Sequence, residues 1–276
     1  MKLDGAIFAI EPRSVGGCID LAIVFLREHF FAVLRLLACF AVPSVALTWW
    51  LMARQDWSFS SCLVLFVLEC PFFGAALIAS AGHRVFGDRF SSRTGLRLLA
   101  SRLILLFVLT LIVRIITGVG LLVFVFPGYM VATRYGFLAE ILLLEHCPAR
   151  RYETRLNDLM NSTFLDLLGR LIVIVVFFGV SVASLFVLVD MASGTLLGLP
   201  ILMGRVSGLA YVFEEVATLM IRDPRVATVF ISILWLVYPV ARLAWMFCYF
   251  DVRIRKEGWD VELDFRVEAN RLEAAL

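Results

Sequence analysis

Charged residues are scarce in this chain. They make up 17% of the 276 residues, and the formal net charge is only +2. Soluble globular domains carry about 25% charged residues, and disordered chains combine low hydrophobicity with high net charge. The scarcity of charge therefore excludes an ordinary soluble enzyme and a disordered chain. A charge balance this close to neutral also gives no reason to expect a nucleic-acid partner.

The motifs of catalytic and metal sites are also missing. The only histidines are His29, His83 and His146, and the six cysteines form no Cys-x-x-Cys pair. No His-Glu-x-x-His, Gly-x-Ser-x-Gly or P-loop motif occurs. The pair Glu214-Glu215 resembles the paired glutamates of CAAX-type intramembrane proteases, but those enzymes also need histidines on later helices, and none follows His146. We expect no enzymatic activity, no metal and no cofactor.

Long apolar runs are abundant. Hydrophobic residues make up 62% of the chain, and the mean hydropathy is +0.94. A membrane-spanning helix needs about 20 apolar residues, and a backbone in hydrocarbon must form its hydrogen bonds internally. The alternating pattern of a β-barrel is absent. The sequence therefore predicts an all-α, polytopic transmembrane helix bundle, one integral membrane domain over residues 1–276.

Six spanning helices are expected. Their predicted ranges are 30–52, 61–81, 102–126, 128–146, 171–191 and 226–250. The third and fourth form one long apolar stretch, which Pro127-Gly128 interrupts. Proline has no N–H to donate and glycine tolerates unusual turn dihedrals, so we place the hairpin turn there.

Three further segments have apolar residues at helical spacing on one face only. They are residues 15–28, 150–167 and 203–221. A strongly amphipathic helix of moderate length is typical of a helix that lies in the membrane interface. A helix that caps the bundle outside the membrane is the alternative, and the pattern does not distinguish the two.

Basic residues are unevenly distributed between the two sides of the six spans. Seventeen of the 25 Lys and Arg residues fall in the N-terminus, the second and fourth loops and the C-terminus, whereas four fall in the other loops. Cytoplasmic loops of membrane proteins carry an excess of Lys and Arg. We therefore expect both termini to be cytoplasmic.

Four charged residues lie deep inside the predicted spans. A charge at the centre of a spanning helix costs about 2.5–3.5 kcal/mol on insertion scales, so each needs a physical reason. We expect Glu69 to pair with Arg114 on the next span, with Arg134 as the competing partner. Glu140 follows Arg134 by six residues, too far for one helical face. Each of these two residues therefore needs a partner on another helix or a wet cavity.

Other charges lie near the inner ends of spans. Arg35, Arg242 and Glu145 are expected to reach the cytoplasmic surface, as long charged side chains near helix ends do. The remaining intramembrane network of Glu69, Arg114, Arg134 and Glu140 has two interpretations. It fixes the register of the helices as buried ion pairs, or it lines a transport path.

Three stretches of sequence resemble one known family. Pro12-Arg13-Ser14-Val15-Gly16 opens the chain, the run from Pro127 to Arg134 opens the fourth span, and the run from Tyr249 to Asp260 closes the last one. Their order and spacing resemble the six-helix membrane domain that some bacterial glycerophosphodiester phosphodiesterases carry ahead of their catalytic domain. They also resemble its free-standing, YciC-like relatives. The resemblance implies a bacterial inner-membrane protein without the phosphodiesterase, because this sequence lacks that soluble barrel.

The closing motif carries a basic cluster just past the last span. Arg253, Arg255 and Lys256 could bind anionic headgroups, at about 1 kcal/mol per charge, or contact a partner protein. Acidic residues are interleaved with them, so a salt-bridged cap against Arg84–Arg102 or Arg150–Arg155 is equally compatible with the pattern.

Two functions remain open from the sequence. The first is a non-catalytic interaction or regulatory module, or a lipid-associated accessory protein, whose partners are membrane lipids and possibly another membrane or cytoplasmic protein. The second is a small transporter or channel. A transporter should show a polar cavity that converges on its intramembrane charges, whereas an interaction module should hold them as sealed ion pairs.

The predicted orientation can be tested with one cysteine. In a cysteine-free variant that carries Ser58→Cys, a membrane-impermeant thiol reagent should label the first outer loop from the non-cytoplasmic side. Labelling only from the cytoplasmic side would contradict the orientation that the basic residues predict.

Overall fold

A computed structural model describes residues 13–85, 92–145, 148, 151–202, 205 and 212–257. These residues form helices and connecting turns, and none of them belongs to a β-strand, so the all-α prediction is confirmed for them. The helices are α1 (Val15–Glu28), α2 (Phe30–Gln55), α3 (Phe59–Val85), α4 (Ser92–Ser101), α5 (Leu103–Val123), α6 (Val125–Arg134), α7 (Leu138–Leu143), α8 (Tyr152–Met160), α9 (Phe164–Leu197), α10 (Val212–Arg222) and α11 (Pro224–Glu257).

Five of these helices are long and apolar enough to cross a membrane. They are α2, α3 over Phe59–Gly82, α5, α9 and α11, which correspond to five of the six predicted spans. This is compatible with a multi-pass membrane protein. The predicted fourth span, 128–146, contains no single helix of that length, because its residues form α6 and α7, of 10 and 6 residues.

The turn that precedes α6 is not where the sequence placed it. Phe124 has an extended backbone and separates α5 from α6, whereas Pro127 and Gly128 lie inside the first turn of α6. The first N–H groups of a helix have no partner within the helix, so proline is tolerated at that position. The prediction of a turn at Pro127-Gly128 is therefore wrong by three residues.

A second break, at residues 135–137, divides α6 from α7. Trp245 Nε1 donates a hydrogen bond to the Gly136 carbonyl at 2.9 Å. A Cβ atom on Gly136 would lie only 2.6 Å from the Trp245 ring. The indole N–H thus occupies a carbonyl that would otherwise accept a helical hydrogen bond, and its ring fills the space next to Gly136. The helix is therefore interrupted at this glycine.

The three predicted amphipathic helices agree with the structure to different extents. Helix α1 has the predicted bounds, and its N-cap residue Ser14 accepts a hydrogen bond from the Gly17 N–H at 3.3 Å. The predicted helix 150–167 is instead α8 and the start of α9, separated by a turn at residues 161–163 in which Ser162 has φ of 72°. Helix α10 covers the end of the predicted segment 203–221, and most of its first half lies outside the described residues. Helix α4 lies in the predicted loop between the second and third spans.

The chain divides into two compact units, which we describe separately. The first comprises Met1–Val33, Gly74–Ile174 and Val240–Leu276. Its core contains an aromatic cluster, in which the Phe137 ring centroid lies 5.0 Å from that of Trp245 and 5.3 Å from that of Tyr249. Phe25 of α1 packs edge-on against Phe247 of α11 at 6.2 Å.

The second unit comprises Leu34–Phe73 and Val175–Pro239. Its core is centred on Trp235, which is 1% exposed and packs edge-on against Phe66 and Phe73. Trp235 Nε1 donates a hydrogen bond to Ser44 Oγ at 3.0 Å, so the one polar atom of the indole is satisfied within the apolar core.

Helices α5 and α6 approach closely at two glycines. A Cβ atom on Gly120 would lie 2.9 Å from the Gly128 backbone, whereas one on Gly118 would meet nothing within 4 Å.

We expect Gly120→Ala to lower the free energy of unfolding by about 1–3 kcal/mol, as overpacking does. Gly118→Ala on the same helix is the matched control and should be neutral or slightly stabilising. The free energies of unfolding of both variants can be measured by SDS titration in mixed micelles, monitored by circular dichroism. Equal destabilisation by the two substitutions would contradict the close approach of α5 and α6.

Candidate functional site

Three carboxylates of the first unit lie among arginines. Glu140 is on α7, Glu145 follows the end of α7, and Asp251 is near the end of α11. Glu140 and Asp251 are 0% and 2% exposed. A buried charge is tolerated only when opposite charges and hydrogen bonds compensate for its lost hydration. The partners of these three groups therefore define the polar part of the unit.

Asp251 joins three parts of the chain. Its Oδ2 atom accepts a hydrogen bond from Arg170 Nη1 of α9 at 2.6 Å, and Arg255 Nε lies 3.1 Å from the same oxygen. Its Oδ1 atom accepts from the backbone N–H of Arg13 at 2.7 Å. Arg255 also donates to the Arg13 carbonyl at 3.1 Å. One buried carboxylate thus fixes the segment before α1, the start of α9 and the end of α11.

Glu140 forms an ion pair with Arg242 of α11. The Arg242 Nη2 atom lies 2.9 Å from Glu140 Oε2. Within the described residues, Glu140 Oε1 and the hydroxyl of Tyr152 have no hydrogen-bond partner, although both atoms are buried. A buried polar atom without a partner costs about 1–3 kcal/mol, so Glu140 is only half satisfied by the protein.

Glu145 lies in a larger network that includes α8. Arg155 binds both of its oxygens, with Nε at 2.6 Å and Nη2 at 2.8 Å, and Tyr249 donates its hydroxyl at 2.5 Å. Glu257 lies 2.5 Å from Arg155 and 2.9 Å from Arg253. Bidentate hydrogen bonds between an arginine and a carboxylate are strong and fix the relative orientation of the two side chains. The network therefore connects α8 firmly to the end of α11.

The electrostatics of this network keep it charged. Burial alone would raise the pKa of Glu145, but hydrogen bonds from Arg155 and Tyr249 and the nearby guanidinium charges outweigh it, so the pKa lies below its ordinary value. The hydrogen bond to Glu145 is in turn the main cause that raises the pKa of Arg155. Both partners are therefore ionised at neutral pH.

The four residues of the predicted intramembrane network are divided between the two units, and each is described within its own. Glu69 hydrogen-bonds Ser44 within the second unit, and its Oε2 atom is buried without a partner among the described residues. In the first unit, Arg134 is exposed and donates to Asn157 Oδ1 of α8 at 2.9 Å. Arg114 lies on α5 in the first unit, so its expected pairing with Glu69 of the second unit stays a prediction.

The predicted cytoplasmic contacts are largely engaged inside the first unit. Arg253 pairs with Glu257, and Arg255 pairs with Asp251. Lys256 Nζ donates to the carbonyls of Asp158 and Asn161, which lie at the end of α8. Basic side chains commonly cap the last carbonyls of a helix in this way. The arrangement is a salt-bridged cap, and headgroup binding by these residues stays a prediction.

The arginine partners of Glu140 and Asp251 were not predicted from the sequence. Arg242 was expected to reach the cytoplasmic surface but binds Glu140, and the pair of Arg170 with Asp251 was not foreseen. A signal for the latter was present, because the predicted fifth span begins at residue 171 and the predicted sixth span ends at residue 250. Arg170 and Asp251 therefore adjoin the same ends of two spans.

Comparison with known proteins finds no matching family model, no similar curated protein and no similar solved structure. Nor do the described residues group three or more His, Cys, Asp or Glu side chains in a way that could hold a metal ion.

The pair of Arg170 and Asp251 should dominate the stability of the first unit. The two side chains are 6% and 2% exposed, so Arg170→Met leaves a buried carboxylate undercompensated. We expect a loss of about 3–5 kcal/mol in the free energy of unfolding. Asp166 also pairs with Arg170 but is 55% exposed, so Asp166→Asn is the matched control and should cost less than about 1 kcal/mol. SDS titration in mixed micelles compares them, and similar losses would refute the special role of Asp251.

Proposed function

We propose that this protein is a non-catalytic, lipid-associated interaction or regulatory module of a bacterial inner membrane. The observation that carries the proposal is the pairing of the three carboxylates of the first unit with arginines. Charges that serve transport must be reached by the transported species. Charges that are already bound to arginines instead hold helices in register. The pairing of these carboxylates therefore favours an interaction module with fixed helices over a transporter with a polar path for its substrate.

The proposal includes six crossings with both termini in the cytoplasm. Five helices have the length and hydropathy of spans. The sixth crossing would be the broken pair α6–α7, since Val125–Leu143 comprises 19 residues, roughly 28 Å if helical. Broken helices are tolerated in membranes where neighbouring groups satisfy the freed backbone. The hydrogen bond from Trp245 to Gly136 supports this. The excess of Arg and Lys on one side supports the orientation.

The proposal also includes membership of the family of six-helix membrane domains found with glycerophosphodiester phosphodiesterases and in YciC-like proteins. Support comes from two of the motifs that carry the resemblance. Arg13 of the opening motif and Asp251 and Arg255 of the closing motif are directly hydrogen-bonded. Two distant motifs that join at one buried carboxylate have a common structural reason to occur together.

Lipid association is supported by the exposed faces of α1 and α4. Helix α1 exposes Ile23 and Val24, at 47% and 46%, next to the exposed Arg27. Helix α4 exposes Arg93 and Arg97. Apolar side chains beside basic ones are typical of helices in the membrane interface, and each basic residue near an anionic leaflet contributes about 1 kcal/mol.

Transport is the alternative, and two observations favour it. Glu140 and Glu69 each retain one buried oxygen without a partner among the described residues. In a transporter, such a carboxylate could bind a proton or a small cation. A Glu140→Gln variant would then lose activity while it retained its fold.

The two functions can be separated with the purified full chain. In proteoliposomes, we expect no proton or K⁺ flux above that of protein-free vesicles, for the wild type and for Glu140→Gln alike. In nanodiscs, anionic lipid should bind the wild type about tenfold or more tightly than it binds the double variant Arg93→Gln/Arg97→Gln. The control Arg222→Gln/Arg225→Gln changes two exposed arginines on the predicted outer side and should have no effect. A flux that requires Glu140 would overturn the proposal in favour of transport.

A further inference from the structure

Two cysteines of the first unit meet between α1 and α11. Cys18 of α1 and Cys248 of α11 are both 0% exposed, and both are free thiols. The two side chains interact directly through their sulfur atoms. A single buried cysteine is ordinary in an apolar core. Two thiols that meet from distant segments of the chain can, in addition, be joined by one covalent bond.

Contacts on both sides of the thiols fix how α1 lies against α11. On one side, Asp251 Oδ1 accepts a hydrogen bond from the backbone N–H of Arg13 at 2.7 Å. On the other side, the ring of Phe25 packs edge-on against that of Phe247, with the centroids 6.2 Å apart. The two cysteines lie between these contacts in both segments of the sequence. The packing of the two helices therefore holds the sulfur atoms opposite each other.

Hydrogen bonding distinguishes Cys18 from an inert core thiol. The hydrogen bond from Cys248 lowers the pKa of the Cys18 thiol, and it outweighs burial and the charge of Asp251, which act in the opposite direction. The guanidinium charges of Arg170 and Arg13 also favour the thiolate. The thiolate is the nucleophilic form of cysteine. Cys18 is therefore suited to attack an oxidant, and Cys248 is placed to resolve the product.

We propose that Cys18 and Cys248 are a redox-active dithiol, which a hydroperoxide converts into a disulfide that joins α1 to α11. The chemistry of the oxidant follows from the surroundings of the pair. Ala22 and Phe25, on the same face of α1 as Cys18, are fully buried, so the reactive group of the oxidant must be small and uncharged. Hydrogen peroxide and the hydroperoxides of oxidised lipids share such a group. This modification site does not depend on the proposed interaction function.

The reaction balances with a hydroperoxide as the oxidant. The Cys18 sulfur attacks the terminal oxygen of the hydroperoxide, the O–O bond breaks, and the leaving alkoxide takes the thiol proton to become an alcohol. Cys18 is then a sulfenic acid. The Cys248 sulfur attacks the sulfenic sulfur, an S–S bond forms, and the hydroxyl leaves with the Cys248 proton as water. Two thiols are oxidised, and one hydroperoxide is reduced to an alcohol and water.

Access to the pair requires a local opening of α1. Both sulfur atoms are buried, so a hydroperoxide reaches Cys18 when α1 separates from α11. Proteins open locally at a lower free energy than they unfold globally. Helix α1 has 14 residues, and its N-cap residue Ser14 accepts a hydrogen bond from the Gly17 N–H. The disulfide prevents this opening, so oxidation fixes α1 in its closed position.

The dithiol can be tested with the full chain in nanodiscs. The reduced protein is treated with hydrogen peroxide or with linoleate hydroperoxide in the lipid, the remaining thiols are alkylated, and peptides are identified by mass spectrometry. We expect a Cys18–Cys248 cross-link that dithiothreitol reverses. Cys18→Ala should abolish it, whereas Cys39→Ala, which removes an exposed cysteine, should leave its yield unchanged. Circular dichroism verifies that both variants are folded. A faster reaction with one hydroperoxide supports the proposal and assigns the oxidant to water or to lipid.

The opening of α1 gives a second, graded test. Ser14→Ala removes the N-cap and should accelerate the cross-linking about fivefold, which corresponds to about 1 kcal/mol. Ser101→Ala, which changes an exposed serine of α4, is the matched control and should leave the rate unchanged. A hydroperoxide treatment that oxidises Cys39 completely without linking Cys18 to Cys248 would refute the dithiol. Equal yields of cross-links between Cys18 and other cysteines, or a rate that Ser14→Ala does not change, would also refute it.

Discussion

The compensation of buried charge by arginine is the constraint on which the first unit depends. Asp251 shows it most clearly, because its two oxygens are shared between Arg170, Arg255 and the backbone of Arg13. Without these donors, the carboxylate would be desolvated and uncompensated, at a cost of several kcal/mol. With them, three distant segments of the chain have one relative position. The network around Glu145 does the same for α8 and the end of α11.

Such pairs provide what apolar contacts cannot provide in a membrane. Lipid tails are as apolar as leucine, so burial of leucine between helices gains little over exposure to lipid. A slip of one helix past another would exchange one set of apolar contacts for a similar set. It would, however, separate Glu140 from Arg242, which are 2.9 Å apart. Ion pairs and the glycine contacts at Gly120 and Gly136 therefore specify register, and the apolar majority only places the helices in the membrane.

This division explains what the sequence could predict. Five helices with the length and hydropathy of spans, and the helix Val15–Glu28, followed from apolar runs and helical spacing, because both signals are local. The break at residues 135–137 was missed because its cause is remote: Trp245 is 109 positions from the carbonyl that it binds. The turn at residues 161–163 was missed for a related reason, since Lys256 of α11 binds the carbonyls of Asp158 and Asn161. Both breaks depend on donors that tertiary structure supplies.

The sequence identified which buried residues carry charge better than it identified the partner of each one. The cost of intramembrane charge singled out Glu140, but it carries no information on which arginine compensates it. Arg242 has an exposed fraction of 12%, so its carbon chain and guanidinium are mostly within the protein rather than at a surface. Arg114 meets the same cost at mid-depth of α5. Depth along a helix sets the cost of a charge, whereas its partner depends on which helices pack together. The carboxylates that are paired with arginines in the first unit therefore hold neighbouring helices in register, because separating such a pair would leave a buried charge uncompensated.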